Sequence, residues 1–89
     1  MNYSSISYTD KKQFSIGSGS EADVRIKGAG VEALHVGIKI DGSKLFLRNF
    51  SSGNTLISTY QVPPDKTEPY TVGEAIRLGQ SKQVVFVEL

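Results

Sequence analysis

Leu34-His35-Val36-Gly37-Ile38-Lys39-Ile40-Asp41-Gly42-Ser43-Lys44-Leu45-Phe46-Leu47-Arg48-Asn49-Phe50 is the stretch that decides the fold. Leu34, Val36, Ile38 and Ile40 fall on one side of an extended chain, and His35, Gly37, Lys39 and Asp41 on the other. A period of two is the pattern of a strand with one dry face. Asp41-Gly42 then marks a tight hairpin, because both residues tolerate the positive φ that a primed turn requires. The chain returns through Lys44 to Phe50, antiparallel to the first strand, with Leu45 and Leu47 on one face and Phe46 and Arg48 on the other.

Outward from this hairpin the same kind of signal recurs at short intervals. Ile6 and Tyr8 alternate in a first run, and Phe14 and Ile16 in a second, closed by Gly17-Ser18-Gly19-Ser20. Val24 and Ile26 form a third, closed by Gly28-Ala29-Gly30. Beyond the hairpin, Ser51 to Asn54 reads as a turn and Thr55 to Ile57 as a short strand. Tyr60 to Pro69 reads as a loop, since Pro63 and Pro64 forbid a central strand. Ile76 and Leu78, then Val85 and Val87, predict two last strands joined across Gly79 to Lys82. No window carries the i, i+3, i+4, i+7 spacing of an amphipathic helix over three turns. Many short strands with glycine-rich turns predict an all-β sandwich or barrel whose polar loops carry the function.

Composition bounds the function. The 89 residues allow one domain, residues 1–89, and a domain of this size buries only roughly two-thirds of its unfolded surface. Cysteine is absent, so neither a disulfide framework nor a thiolate metal site exists, and a reducing, cytoplasmic setting fits. The formal net charge of +1, with both signs interspersed, excludes the basic stripe that phosphate contacts to nucleic acid need. No apolar run approaches the roughly 20 residues of a membrane span, so direct membrane insertion is not expected. Met1 to Tyr8 lacks both a charged leader and an apolar stretch, so no signal peptide is read there. The strand pattern running flush to Leu89 suggests a domain cut from a longer protein, fused to other domains or to a transmembrane segment.

Several runs together resemble the forkhead-associated (FHA) domain. Ile16-Gly17 leads through Asp23-Val24-Arg25-Ile26 to Gly30-Val31 and His35, as in that family's first half. There a Gly-Arg pair ends one strand, an Asp-aliphatic-x-aliphatic strand follows, and a Ser-x-x-His motif runs into the next. Leu47-Arg48-Asn49-Phe50-Ser51-Ser52-Gly53-Asn54-Thr55 is similar, with departures, to the family's Leu-x-Asp-Leu-x-Ser-x-Asn-Gly turn. Val72-Gly73-Glu74-Ala75-Ile76-Arg77-Leu78-Gly79 is similar to its Gly-Asp segment, and Phe86 to Leu89 to its closing strand. The resemblance covers about residues 16–89. It implies an FHA/SMAD-type β-sandwich of two antiparallel sheets with loops clustered at one end, a protein or peptide partner, and no cofactor. Degenerate domains of this kind occur in bacterial membrane-associated machinery, secretion systems among them.

The family's usual activity is binding phosphothreonine peptides, which calls for a cation and several donors around a phosphate. Position by position, that equipment is mostly replaced. Ser18 stands where the family has arginine, Glu32 where it has the serine of Ser-x-x-His, Ala33 where a polar peptide contact is common, and Gly53 where Ser or Thr precedes the loop asparagine. Asn54 alone is retained. Thr59 stands near the place of the family's second asparagine. A missing arginine forfeits attraction, but a carboxylate at residue 32 adds repulsion of about one to three powers of ten in affinity. The expectation is a non-catalytic, phospho-independent interaction module; the alternative is a phosphothreonine reader with rearranged contacts. Arg25, Lys27 and Arg48 are the cations nearest these loops in sequence and read as solvated strand charges.

The remaining candidates read as structural. His35 is the only histidine, so no histidine metal cluster exists; pairing it with Ser18 or Ser20 and Glu32 as a catalytic set lacks any nucleophile turn. Its expected role is to hold two loops together. Gly17-Ser18-Gly19-Ser20 lacks the Gly-Lys-Ser/Thr ending and following helix of a phosphate loop, and so reads as a turn. Glu21, Asp23 and Glu32 lie close enough in sequence to chelate a cation, but Asp23 is expected to begin its strand. Gly17, Gly73 and Gly79 are expected to be structural. Tyr60 and Tyr70 flank the proline loop and are expected to pack it against the sandwich.

Overall fold

Alternating apolar residues can dry one face of a sheet only if a second sheet covers it, and that is how this chain folds. The computed structural model describes residues 2–7 and 12–88, and the side chains of residues 12–87. Tyr8 and Leu89, named above as strand positions, lie outside the described residues, as does Met1. Among the described residues ten strands follow in order: β1 (Asn2–Ser7), β2 (Gln13–Gly17), β3 (Val24–Arg25), β4 (Val36–Asp41), β5 (Lys44–Asn49), β6 (Thr55–Ile57), β7 (Tyr60–Gln61), β8 (Thr67–Tyr70), β9 (Ala75–Leu78) and β10 (Gln83–Glu88). They form two five-stranded sheets, ordered β1-β10-β9-β6-β7 and β3-β2-β4-β5-β8. Each is antiparallel through its centre and carries one parallel edge pairing, β1 with β10 and β2 with β3.

The core lies between the sheets. Ile16, Val36, Ile38 and Leu47 from one sheet meet Ile76, Leu78, Val85 and Val87 from the other, and each is essentially excluded from solvent. Tyr70 ties the layers chemically as well: its hydroxyl donates to the Glu74 carbonyl at 2.5 Å and accepts from the Val87 amide at 3.1 Å.

The central hairpin forms in the expected register, with Ile38 opposite Leu47 and Asp41 opposite Lys44. Its two-residue loop is Gly42-Ser43 rather than Asp41-Gly42. Positive φ is confined to Gly42, at 63°, which is the type II′ solution with glycine in the first central position.

Two readings of the sequence change. The alternation does not extend back through Leu34: β4 begins at Val36, Leu34 is 47% exposed and His35 is buried. Residues 31–35 are a loop in which the hydrogen bonds of His35, not the pleat, set its direction. The segment from Tyr60 to Pro69 is likewise not all loop. β7 and β8 occupy its ends, and Pro69 lies within β8, at the edge of its sheet. An edge strand needs only alternate amides for pairing, so a residue without an N–H is tolerated there. Pro63 and Pro64 remain outside any strand.

Candidate functional site: the loop end of the sandwich

Three loops meet at one end of the sandwich: 18–23 between β2 and β3, 26–35 between β3 and β4, and 50–54 between β5 and β6. Backbone hydrogen bonds zip the first two together. The Ser18 amide donates to the Glu32 carbonyl at 2.9 Å and the Gly19 amide to the Ala33 carbonyl at 3.1 Å. The Ser18 hydroxyl donates to the Val31 carbonyl at 2.9 Å, so it is spent on the scaffold. This approach is close enough to dictate Gly17, where an added Cβ would stand 2.2 Å from the Ala33 carbonyl oxygen.

A fourth segment braces them. Gly79, in the β9–β10 turn at φ 57°, lies against Gly30, and a Cβ there would stand 2.5 Å from the Gly30 carbonyl carbon. The Gln80 amide donates to the Ala29 carbonyl at 2.7 Å, and the Ser81 hydroxyl to that of Lys27 at 2.8 Å. Gly73, expected to be structural, occupies a turn at the other end of β9, with φ 92°.

His35 joins the second loop to the third. Its Nδ1 accepts the Glu32 amide at 3.1 Å, which places the proton on Nε2. Nε2 then donates to the Asn54 carbonyl at 2.9 Å, with Thr55 Oγ1 at 3.0 Å. Burial holds the imidazole below its ordinary value of 6.5, against smaller opposing effects of the Asn54 carbonyl and the Glu32 charge. It is a neutral strut.

Beside it, Asn49 Oδ1 accepts from the Ser51 amide (3.0 Å), the Ser51 hydroxyl (2.7 Å) and the Thr55 hydroxyl (2.9 Å), while its Nδ2 donates to the Val62 carbonyl at 2.9 Å. An aspartate could accept in the same way but could not make the last bond. Asn49 and Ser51 were quoted above only as parts of a motif; their burial is what shows that they shape the third loop.

On the loop surface Glu32 is held in a defined position. Glu32 Oε2 accepts from the Ser52 amide at 2.9 Å and from the Ser52 hydroxyl at 3.0 Å. The Ser52 amide, then its hydroxyl, pull the carboxyl below its ordinary value of 4.5, so it is ionised at neutral pH. Ser52 was missed as a site residue, although it stands at the serine of the Leu-x-Asp-Leu-x-Ser-x-Asn-Gly pattern. Gly53 is packed 3.5 Å from the Gly30 carbonyl oxygen, measured from where its Cβ would be. Asn54 is exposed, and its Oδ1 accepts from Gln61 Nε2 at 3.2 Å; Ala33, on the second loop, is exposed as well.

The three carboxylates grouped in sequence do not converge. Asp23 turns to β2, where Oδ2 accepts from the Ser15 amide at 2.8 Å and hydroxyl at 3.2 Å, while Glu32 turns to Ser52. Among the described residues, no three His, Cys, Asp or Glu side chains gather as a metal site would need. No helix among them is long and apolar enough to cross a membrane. Arg25, Lys27 and Arg48 are exposed. Tyr70 packs as expected, whereas Tyr60 is about half exposed, its hydroxyl donating to Glu68 at 3.2 Å.

Comparison with known proteins agrees with this architecture. Residues 14–79 match the family model of the FHA domain. No curated protein matches the chain. Among solved structures, the chain is similar to the FHA domain of FhaA, determined in complex with the intracellular domain of Rv3910: 29% identity and TM-score 0.70, over 83% of this chain and 80% of that one. It is also similar to the FHA domain of an Arabidopsis thaliana hypothetical protein, at 26% identity and TM-score 0.73, over 92% of this chain and 73% of the other. The N-terminal FHA domain of S. cerevisiae Rad53p, in complex with a phosphothreonine peptide, has the same fold at 18% identity and TM-score 0.68, over 76% of this chain and 56% of that one. Two sheets with this strand order, joined loops at one end and a family match over most of the chain lead to one conclusion: the chain belongs to the FHA domain family.

Proposed function

We propose that this domain docks a protein or peptide partner without reading phosphate at its loop end, and that it has no catalytic role of its own. FHA domains are protein-interaction modules known for binding phosphopeptides. The observation that carries the reading is the Glu32 carboxylate on the Ser52 amide and hydroxyl. Donors that an incoming phosphate would need are already serving an internal anion, and that anion repels a second one. Ser18, at the place of the family's arginine, cannot compensate, because it is neutral and its hydroxyl is bonded to Val31.

Ser18, Glu32, Ala33, Gly53 and Asn54 are on this reading the remnants of a peptide-binding rim. Gly17, His35, Gly73 and Gly79 maintain its frame. An adaptor of this kind suits a domain carried within a longer cytoplasmic chain.

The test is a titration with a degenerate phosphothreonine peptide pool, followed by amide chemical shifts. No saturable shift is expected at Ser18, Glu32 or Asn54. Shifts there that vanish on dephosphorylation would instead establish a phosphothreonine reader with rearranged contacts. The double substitution Ser18→Arg with Glu32→Ser is expected to raise phosphopeptide affinity. If it stays folded and gains nothing, the pocket is not where we place it.

A further inference from the structure

The outer face of the β3-β2-β4-β5-β8 sheet carries a groove of about 730 Å³ that none of Ser18, Glu32, Ala33, Gly53 or Asn54 lines. Its floor is bare backbone at Gly37, where an added Cβ would stand 2.8 Å from the Phe50 ring. Phe50 therefore packs against the strand at Gly37, with the Arg48 guanidinium 5.5 Å from the ring centroid, yet 42% of Phe50 remains exposed. Leu34, 47% exposed, leaves the adjacent backbone, because the Phe50 amide donates to the His35 carbonyl at 2.9 Å. Phe46 lines the same groove farther along β5, beyond Arg48. Single exposed apolar side chains are ordinary, but several lining one open groove mark a contact surface.

Basic side chains outnumber acidic ones two to one among the residues lining this groove, Lys39 and Arg48 against Asp23. Lys39 and Arg48 line it, projecting outward from β4 and β5. The acid at its end, Asp23, already accepts two hydrogen bonds from Ser15. Apolar side chains beside a guanidinium and an ammonium are complementary to an apolar side chain flanked by carboxylates.

We propose that this groove docks an unphosphorylated acidic segment of a partner protein, its aromatic or aliphatic anchor on Phe50, Leu34 and Phe46 and its carboxylates on Lys39 and Arg48. The proposal deepens the phospho-independent reading given above and rests on it.

The probes are three synthetic peptides with the same Leu-Phe centre, flanked on each side by Asp-Glu, by Lys-Lys or by Ser-Ser, plus a phosphothreonine peptide as control. Titrated into the labelled domain, the acidic peptide is expected to give saturable amide shifts at Gly37, Lys39, Arg48 and Phe50, weakening as salt is raised. The double substitution Lys39→Glu with Arg48→Glu is expected to weaken it on the order of tenfold. Leu34→Ser, at an exposed loop position, is expected to weaken it while leaving the thermal midpoint in place. Equal affinity for the acidic and lysine-flanked peptides would overturn the proposal. So would indifference to the charge reversal, absence of groove shifts at millimolar peptide, or shifts at these amides on concentrating the domain alone, which would assign the face to a second copy. Shifts at Ser18, Glu32 and Asn54 with the phosphothreonine peptide would overturn the phospho-independent reading instead, and the two failures are told apart by which amides move.

Discussion

Glu32 and Ser52 stand twenty residues apart in sequence, yet one carboxylate oxygen accepts both the backbone amide and the hydroxyl of the serine. This pairing closes the second loop onto the third from outside, as His35 does from within. It makes an acid part of the frame where an anionic ligand would need empty donors.

Glu32 should titrate below its ordinary value, and the Ser52 amide is the larger cause. Ser52→Ala is therefore expected to move its titration only part of the way back, measured on the side-chain carboxyl by NMR. The unfolded chain binds that proton more readily than the folded one. The pairing thus adds stability above pH 4.5 that is lost as pH falls through the folded value. Glu32→Gln should remove this part of the pH dependence. An unchanged acid limb in the variant would assign it to other carboxylates.

His35 contributes a second, higher window. Its folded value lies below 6.5, so its contribution is complete above that pH and declines as the medium is acidified toward the folded value. His35→Ala should cost about 2–4 kcal/mol, because the Glu32 amide and Asn54 carbonyl lose their partner inside a buried network. Urea midpoints of both proteins from pH 5 to 8 check this; equal slopes for wild type and variant would remove His35 from the account.

Gly17 and Gly73 should respond differently to alanine. At Gly17 the new methyl would stand 2.2 Å from a backbone oxygen that cannot move without opening the loops, so a loss of about 3 kcal/mol or more is expected. At Gly73 nothing lies within 4 Å, and only the φ of 92° resists, which predicts about 1 kcal/mol. Similar losses at both sites would mean that the loop junction is softer than its hydrogen bonds indicate.

Tyr70→Phe should destabilise by about 1–3 kcal/mol, since it leaves the buried Val87 amide without its acceptor and the Glu74 carbonyl without its donor. Hydrogen exchange gives the specific readout: protection at Val87 should fall before that at Val85, whose neighbours are untouched. Uniform loss across β10 would point to global unfolding alone.

Sequence alone determined the dry-faced sheets, because period-two alternation is a property of the local chain and has one use, drying the face of a sheet; it left sandwich and barrel open, and the family resemblance chose between them. Val36, Ile38, Ile40, Leu45 and Leu47 declare that face without reference to anything distant, and Gly42 sets the turn between them.

What only the tertiary structure decided are the relations between segments far apart along the chain. Periodicity placed Leu34 inward and His35 outward, and the hydrogen bonds from His35 to Asn54 and Thr55, about twenty residues on, reversed both. β8 was hidden by its proline, since whether a strand lies at an edge depends on its neighbours and not on its composition. The carboxylate of Glu32 could be read as a repulsive charge; that it is also held by Ser52 required the two loops to be brought together. A hydrogen bond acts over about 3 Å, and only folding converts sequence separation into that distance.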